Sequence, residues 1–262
     1  MIELQTHLGW FERFTARYKG MDPGQADNVQ LKIDHTLRVL QEARQISLSL
    51  DLSPAVHGLV ELAALYHDIG RFPQLIRFGT FQDSESVNHG LLGFKTLRSE
   101  GVLEGLSRQE RATVLQAVNL HNRASVPEGL PRGLDLVLRV IRDADKLDVI
   151  SVLLSRFDPG TDHDGMVTMG LRHDSGRYSG KALDEVLQGR IVNYRDMVWV
   201  NDFRLLLCSW VYDLNFDLSR ARFLERGYIE SLIGQMPGTE EIDNLKTRLM
   251  GELGSGTSGP GL

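Results

Sequence analysis

The stretch Leu65-Tyr66-His67-Asp68-Ile69-Gly70-Arg71-Phe72 closes an apolar helical run with an adjacent histidine and aspartate, and a glycine follows shortly after. Four more potential ligands flank the pair. His35 comes before it, and His89, His121 and Asp145 come after it, each on or at the end of a separate predicted helix. Helical bundles build metal sites in this way, from single side chains that project inward from several facing helices. The order therefore points to a fold in which these helices converge. Neighbouring residues on a regular helix point about 100° apart, so two in a row rarely serve one ion from mid-helix. At a frayed C-terminal turn the geometry loosens. His67 can then hold one ion while a carboxylate oxygen of Asp68 reaches a second. An imidazole-rich set with two carboxylates suits divalent transition metals better than calcium or magnesium.

Helical spacing runs through almost the whole chain, and β-rich runs are too few for a sheet-based fold. The expected helices are Leu4 to Tyr18, Val29 to Leu48, one opened by Ser53-Pro54 and ending at His67-Asp68, about Val87 to Ser99, and one from a Ser107–Glu110 capping box to near His121. Further helices are expected over Leu134 to Leu154, from about Ala182, over Asn193 to Leu214, Ser219 to Ile233 and Glu240 to Leu253. Gly70 reads as a left-handed helix stop. Arg71 to Glu85, rich in Phe and Gly, reads as a connection. Asp158 to Gly180 holds Pro159 and five glycines and reads as an excursion, with Met166-Val167-Thr168-Met169 as a short strand within it. The tail Gly254 to Gly261 reads as flexible.

A chain of 262 residues suits one large domain, or one domain with a helical extension. The net charge of -6 argues against a general nucleic-acid binder. It leaves room for a small phosphorylated substrate, because metal ions and a few local Arg or Lys residues can supply the positive field. No apolar run approaches the roughly 18 residues of a membrane span. Met1-Ile2-Glu3-Leu4-Gln5 shows no secretory pattern, so a cytoplasmic protein is expected. Cys208, the single cysteine, lies in an apolar run and reads as buried filler.

In this order, His35, His67-Asp68 and Asp145 resemble the four-ligand motif of the HD-domain superfamily of metal-dependent phosphohydrolases. His89 and His121 match the two extra histidines of its binuclear members, and the segment around the pair is similar to the HDIG variant. The resemblance covers about residues 28–155. It implies an all-α fold with an HD-type helical core over residues 1–155, with residues 156–253 forming a loop excursion and a helical extension packed on the core, and 254–262 forming the tail. It implies that His35, His67, Asp68 and Asp145 hold one ion, that Asp68 bridges, and that His89 and His121 complete a second site with water. Manganese, iron, cobalt or nickel would be the metals, with histidine richness weighing against magnesium. The cyclic-dinucleotide branch is set aside: Asn122-Arg123-Ala124 follows His121 where that branch has His-His-Glu, and no Gly-Tyr-Pro occurs. A partner domain of the stringent-response type is also missing.

The function this implies is hydrolysis of a phosphate ester or anhydride in a nucleotide or related small molecule. Asp68 would orient a metal-activated water. Arg71 would grip a phosphate, and Lys146 and Arg123 are further candidates for substrate contact. The same ligand order also resembles the di-iron oxygenases of the superfamily, and a nucleotide sensor without turnover is a third reading. A homodimer through the C-terminal third is open. Asp148 reads equally as support for a ligand or as a surface carboxylate, and Asp143 reads as solvated. His7 and His57 read as ordinary residues. His163-Asp164 and His173-Asp174 lie in the excursion, away from any helix. Asn193 to Trp199 reads as core helix in preference to a pocket wall.

Overall fold

A computed structural model describes residues 3–156 and 171–255. His163-Asp164, the expected strand at Met166 to Met169 and all but the first two residues of the expected tail lie outside the described residues. The described residues are helical and contain no strand; one isolated bridge joins Arg172 and Trp199. The chain separates into two compact units, residues 1–148 and 149–262.

The first unit contains α1 (Leu4–Met21), α2 (Ala26–Leu48), α3 (Pro54–Tyr66), α4 (Arg71–Phe78), α5 (His89–Glu100), α6 (Arg108–Leu120) and the first part of α7 (Arg132–Arg156). Helix α3 is apolar almost all round, the mark of a helix enclosed on several sides. Val60, Leu62, Ala63, Ala64, Leu65 and Tyr66 are fully buried. Helix α1 covers it with aromatic side chains. Trp10 stacks on Phe14 at 4.8 Å and meets Tyr66 edge-on at 5.7 Å, while Phe11 and Phe14 meet Phe72 of α4 edge-on. His7 also takes part, with its Nδ1 2.8 Å from the Tyr66 hydroxyl. Helix α7 buries Val137, Leu138, Val140, Ile141, Ala144 and Leu147 along one half of its circumference and Arg142, Asp143 and Lys146 along the other. Asp143 is thus fully buried, contrary to the solvated position expected for it.

Three local expectations need correction. The Ser53 hydroxyl makes no capping bond, and α3 begins instead on Pro54 with the Ser53 carbonyl accepting from Val56 and His57. Arg71 to Phe78 is a helix, not part of a connection. Gly70 is not a left-handed stop: its φ of -69° and ψ of -20° carry the chain straight into α4, and Gly79, with φ 69°, ends that helix. Gly70 is needed for close approach. A Cβ there would lie 2.2 Å from the His89 carbonyl oxygen and 2.6 Å from the Gly93 nitrogen. Gly90 plays the same part on the other side of α5, where a Cβ would meet the Val118 and Asn119 carbonyls at 2.9 and 3.0 Å. These glycines let the start of α5 press between the His67-Asp68 turn and the end of α6. The Ser107–Glu110 capping box forms as expected, with bonds of 2.9 and 3.3 Å.

The second unit holds α8 (Gly180–Leu187), α9 (Val200–Ser209), α10 (Asp217–Glu225), α11 (Tyr228–Ile233) and α12 (Glu240–Gly254). The expected helix from Asn193 to Leu214 is extended around Met197 and Trp199. The cause is Asp202. It is fully buried and accepts from the backbone amides of Ser179, Val198 and Trp199 and from the Ser179 hydroxyl, at 2.6 to 2.9 Å. Gly227, with φ 61°, splits the expected Ser219–Ile233 helix in two. Cys208 is buried in α9, and burial pushes its thiol up to about 12.

Gly70→Ala is expected to destabilise the protein by about 1–3 kcal/mol or more, the usual cost of overpacking, because the obstructing atoms are backbone. Gly133→Ala, with no atom within 4 Å of its Cβ, should stay within about 1 kcal/mol of wild type when both variants are unfolded by urea titration.

Candidate metal centre

Six side chains converge in the first unit as two trios. His35, His67 and Asp145 form one and Asp68, His89 and His121 the other, with the ligand atoms of each trio within 4.8 Å of one another. Asp68 links them. Its Oδ2 lies 3.5 Å from His35 Nε2 and 3.8 Å from His67 Nε2, and its Oδ1 lies 3.3 Å from His89 Nε2 and 3.6 Å from His121 Nε2. Asp145 Oδ1 stands 3.2 Å from His35 Nε2 and 3.8 Å from His67 Nε2. Five of the six are nearly fully buried; Asp145, with its side chain 29% exposed, marks the open side.

Every imidazole turns the same way. His67 Nδ1 faces the Ala64 carbonyl at 2.7 Å, and His121 Nδ1 faces the Val118 carbonyl at 2.8 Å. His35 Nδ1 faces Asp148 at 2.7 Å, and His89 Nδ1 faces Asp83 at 2.8 Å. Carbonyl and carboxylate oxygens only accept, so each Nδ1 carries the hydrogen and each Nε2 points into the centre. This arrangement fixes the tautomer of a metal-ligating histidine. It also leaves His89 Nε2 and His121 Nε2 facing each other at 3.1 Å with both Nδ1 hydrogens committed elsewhere. Two lone pairs that close need an electrophile between them. The donor set therefore fits two divalent cations, with His35, His67 and Asp145 on one, His89 and His121 on the other, and Asp68 shared.

The electrostatics follow the same geometry. Burial would raise the Asp68 carboxyl, but Lys32, His67 and Arg71 hold it well below the ordinary carboxylate range. Burial lowers His67 to about 4, and burial and the Arg71 charge lower His89 to about 3. For His35, burial and Lys32 oppose protonation, yet its bonds to Asp145, Asp148 and Asp68 outweigh them and raise it to about 10.

Some groups at the centre do not stand out in sequence. Lys32, one turn before His35 on α2, places its Nζ 2.6 Å from Asp68 Oδ2. Its helical spacing from His35 is the only signal that could have found it. Asp83 backs His89 from the turn before α5. Asp148, left open in sequence between support and surface, is buried between His35 and Arg38, whose Nε lies 2.5 Å from its Oδ1. Of the expected substrate contacts, Arg71 borders the centre with Nε 3.5 Å from Asp68 Oδ1. Lys146 is buried on α7 one residue beyond Asp145, and Arg123 is exposed. The Arg123 backbone carbonyl, with that of His121, accepts from buried Arg142, which ties α7 to the end of α6. His173 and Asp174 lie in the second unit, where the Gly176 amide donates to Asp174 Oδ1 in a local turn.

Residues 33–150 match the family model of the HD domain, a stretch that includes all six converging ligands. This part of the chain is an HD domain. Neither a curated protein nor a solved structure gives a match. The HD domain is the mark of a superfamily of metal-dependent hydrolases, and its members bind divalent metals. No helix among the described residues is long and apolar enough to cross a membrane.

The metal-stripped protein is expected to be most stable near pH 6.5. His67 and His89 titrate below the ordinary imidazole value of 6.5, so their contribution is present above pH 6.5 and is lost as pH falls through about 4 and then 3. His35 titrates above it, so its contribution is present below pH 6.5 and is lost as pH rises towards about 10. Thermal unfolding of the chelator-treated protein from pH 4 to pH 9 tests this. A flat profile would contradict it.

Proposed function

We propose that the HD domain is a phosphohydrolase that uses two transition-metal ions, manganese, iron, cobalt or nickel, on a phosphate ester or anhydride of a nucleotide or related small molecule. One observation carries the reading. The carboxylate shared between the two trios is flanked by two cations, Lys32 and Arg71, which gather against the Phe81 ring at 5.5 and 6.0 Å. Arg71 Nε faces Asp68 at 3.5 Å and its Nη1 donates to Gln74, Asp83 and the Phe81 carbonyl, so the guanidinium charge is fixed beside the ligands. An anionic group entering on the Asp145 side would meet a positive field from both cations.

The ions would supply Lewis acidity and a bound water whose pKa approaches about 7. The residues do the rest. Asp68, kept ionised by its neighbours, accepts the hydrogen bond that aims the attacking water. Lys32 can turn from Asp68 to a phosphoryl oxygen, and Arg71 offers a planar guanidinium to a second. The four Nδ1 bonds hold the imidazoles still as charge shifts on the substrate, which keeps reorganisation small.

The test is an oxygen-free turnover screen of manganese- or iron-loaded protein against nucleotides, cyclic nucleotides and a generic phosphodiester, with Asp68→Ala as control. The expected result is product release that needs metal and Asp68 but no oxygen. Turnover that requires oxygen would move the assignment to the di-iron oxygenases. Metal-dependent ligand binding without turnover would make the domain a sensor. Lys32→Met is expected to raise KM about 10–100-fold, the loss of one hydrogen bond to a charged group, while metal content stays unchanged. An unaltered KM would remove Lys32 from the substrate contacts.

A further inference from the structure

The two trios are not equal. The first holds its own carboxylate, Asp145, beside the shared Asp68; the second has two imidazoles and only the shared carboxylate. An ion in the second site therefore depends more heavily on the basicity and aim of its histidines. His121 is aimed by the end of its own helix. His89, the first residue of α5, depends on Asp83.

Asp83 lies on the single turn Asp83–Glu85 between α4 and α5. Its Oδ1 accepts from Gln74 Nε2 at 2.9 Å and Arg71 Nη1 at 3.1 Å, both from α4. Its Oδ2 accepts from His89 Nδ1 at 2.8 Å, from the His89 amide at 3.3 Å, and from Asn122 Nδ2, just past α6, at 3.0 Å. One carboxylate thus gathers α4, the start of α5 and the turn after α6. Gln74 is itself fully buried and also bonds the Ser86 hydroxyl and the Val87 carbonyl, so the turn that carries Asp83 is fixed from beneath. Among the described residues this network meets none of His35, His67 and Asp145; its one link to the first site is Arg71, which also faces the shared Asp68 at 3.5 Å.

We propose that Asp83 is the positioning residue of the second ion site, governing occupancy of the His89–His121 site without contacting the ion. The inference rests on the two-ion reading above. Its test is metal binding, not turnover. The full-length protein, stripped of metal, is titrated with manganese by calorimetry, and retained metal is counted after gel filtration. Wild type should bind two ions. Asp83→Ala should keep one at wild-type affinity and weaken the other about 10–100-fold, the usual effect of removing such a support. In a His121→Ala background, where the second site is already broken, Asp83→Ala should change nothing further. Asp83→Asn keeps an acceptor for His89 Nδ1 and should fall between wild type and Asp83→Ala. It also decides the matter if the alanine variant fails to fold by circular dichroism.

Two ions bound with equal affinities in wild type and both Asp83 variants would overturn the proposal and leave the two-ion reading standing. Equal weakening of both ions in folded variants would overturn it as well. One ion in wild type would overturn the two-ion reading, and the proposal with it.

Discussion

The centre depends on four buried imidazoles whose Nδ1 hydrogens are spent on acceptors outside the ligand cluster. A buried histidine needs partners for both nitrogens, and here one nitrogen of each ring is satisfied by protein. The other four converge on two points joined by Asp68. Two different devices supply the satisfied side. His67 and His121 sit immediately after the last residues of α3 and α6, and each turns its Nδ1 to the carbonyl three residues back, Ala64 or Val118. Those carbonyls belong to the last turn, where helices leave acceptors unpaired. The helix end is therefore its own support. His35, in the middle of α2, and His89, at the start of α5, have no such spare carbonyl behind them. Carboxylates from elsewhere, Asp148 and Asp83, take that role.

This division explains what the sequence could reveal. The ligands are legible because each sits at a recognisable place on a helix and their order is distinctive. The helix-end supports come with the ligands, since they are set by local backbone. The carboxylate supports are separated from their histidines by 113 residues for Asp148 and by a turn of irregular backbone for Asp83. Helical spacing from Asp145 makes Asp148 a candidate but does not tie it to His35, and no periodicity marks Asp83. Lys32 was hidden differently: a lysine on an amphipathic helix normally belongs to its solvated face, and only the tertiary fold turns this one towards Asp68. The burial of Asp143 escapes for the converse reason, because an isolated carboxylate reads as exposed until the whole circumference of α7 is seen to be covered.

Errors in the helix map have similar causes. Gly70 and Gly79 both follow apolar segments, and sequence gives no means of telling a glycine that ends a helix from one that admits another backbone. The steric requirement at Gly70 comes from residues 89 and 93, so it exists only once α5 is in place. With Gly70 as a stop, the following Phe- and Gly-containing stretch reads as a connection and α4 has no place in it. Yet α4 supplies Arg71 and Gln74, two of the donors that organise Asp83. One glycine therefore hides from the sequence both a helix and part of the site's support.

Charge carries the remaining step from architecture to chemistry. Around the centre stand four carboxylates, Asp68, Asp83, Asp145 and Asp148, against Lys32, Arg38 and Arg71, a formal balance of -1 with neutral imidazoles. Two divalent ions would turn that balance to +3. Such a shell would discriminate against neutral and cationic molecules and draw anions towards the open side at Asp145, even in a chain whose overall charge is -6. Arg38 is spent on Asp148, behind His35, whereas Lys32 and Arg71 stand on the side of the shared ligand, where the ions would add to their charge. Lys32, Arg71 and the ions would all border one carboxylate. An anion held by that group would place its central atom next to whatever Asp68 orients, which is the proximity that the proposed attack on a phosphoryl group would use.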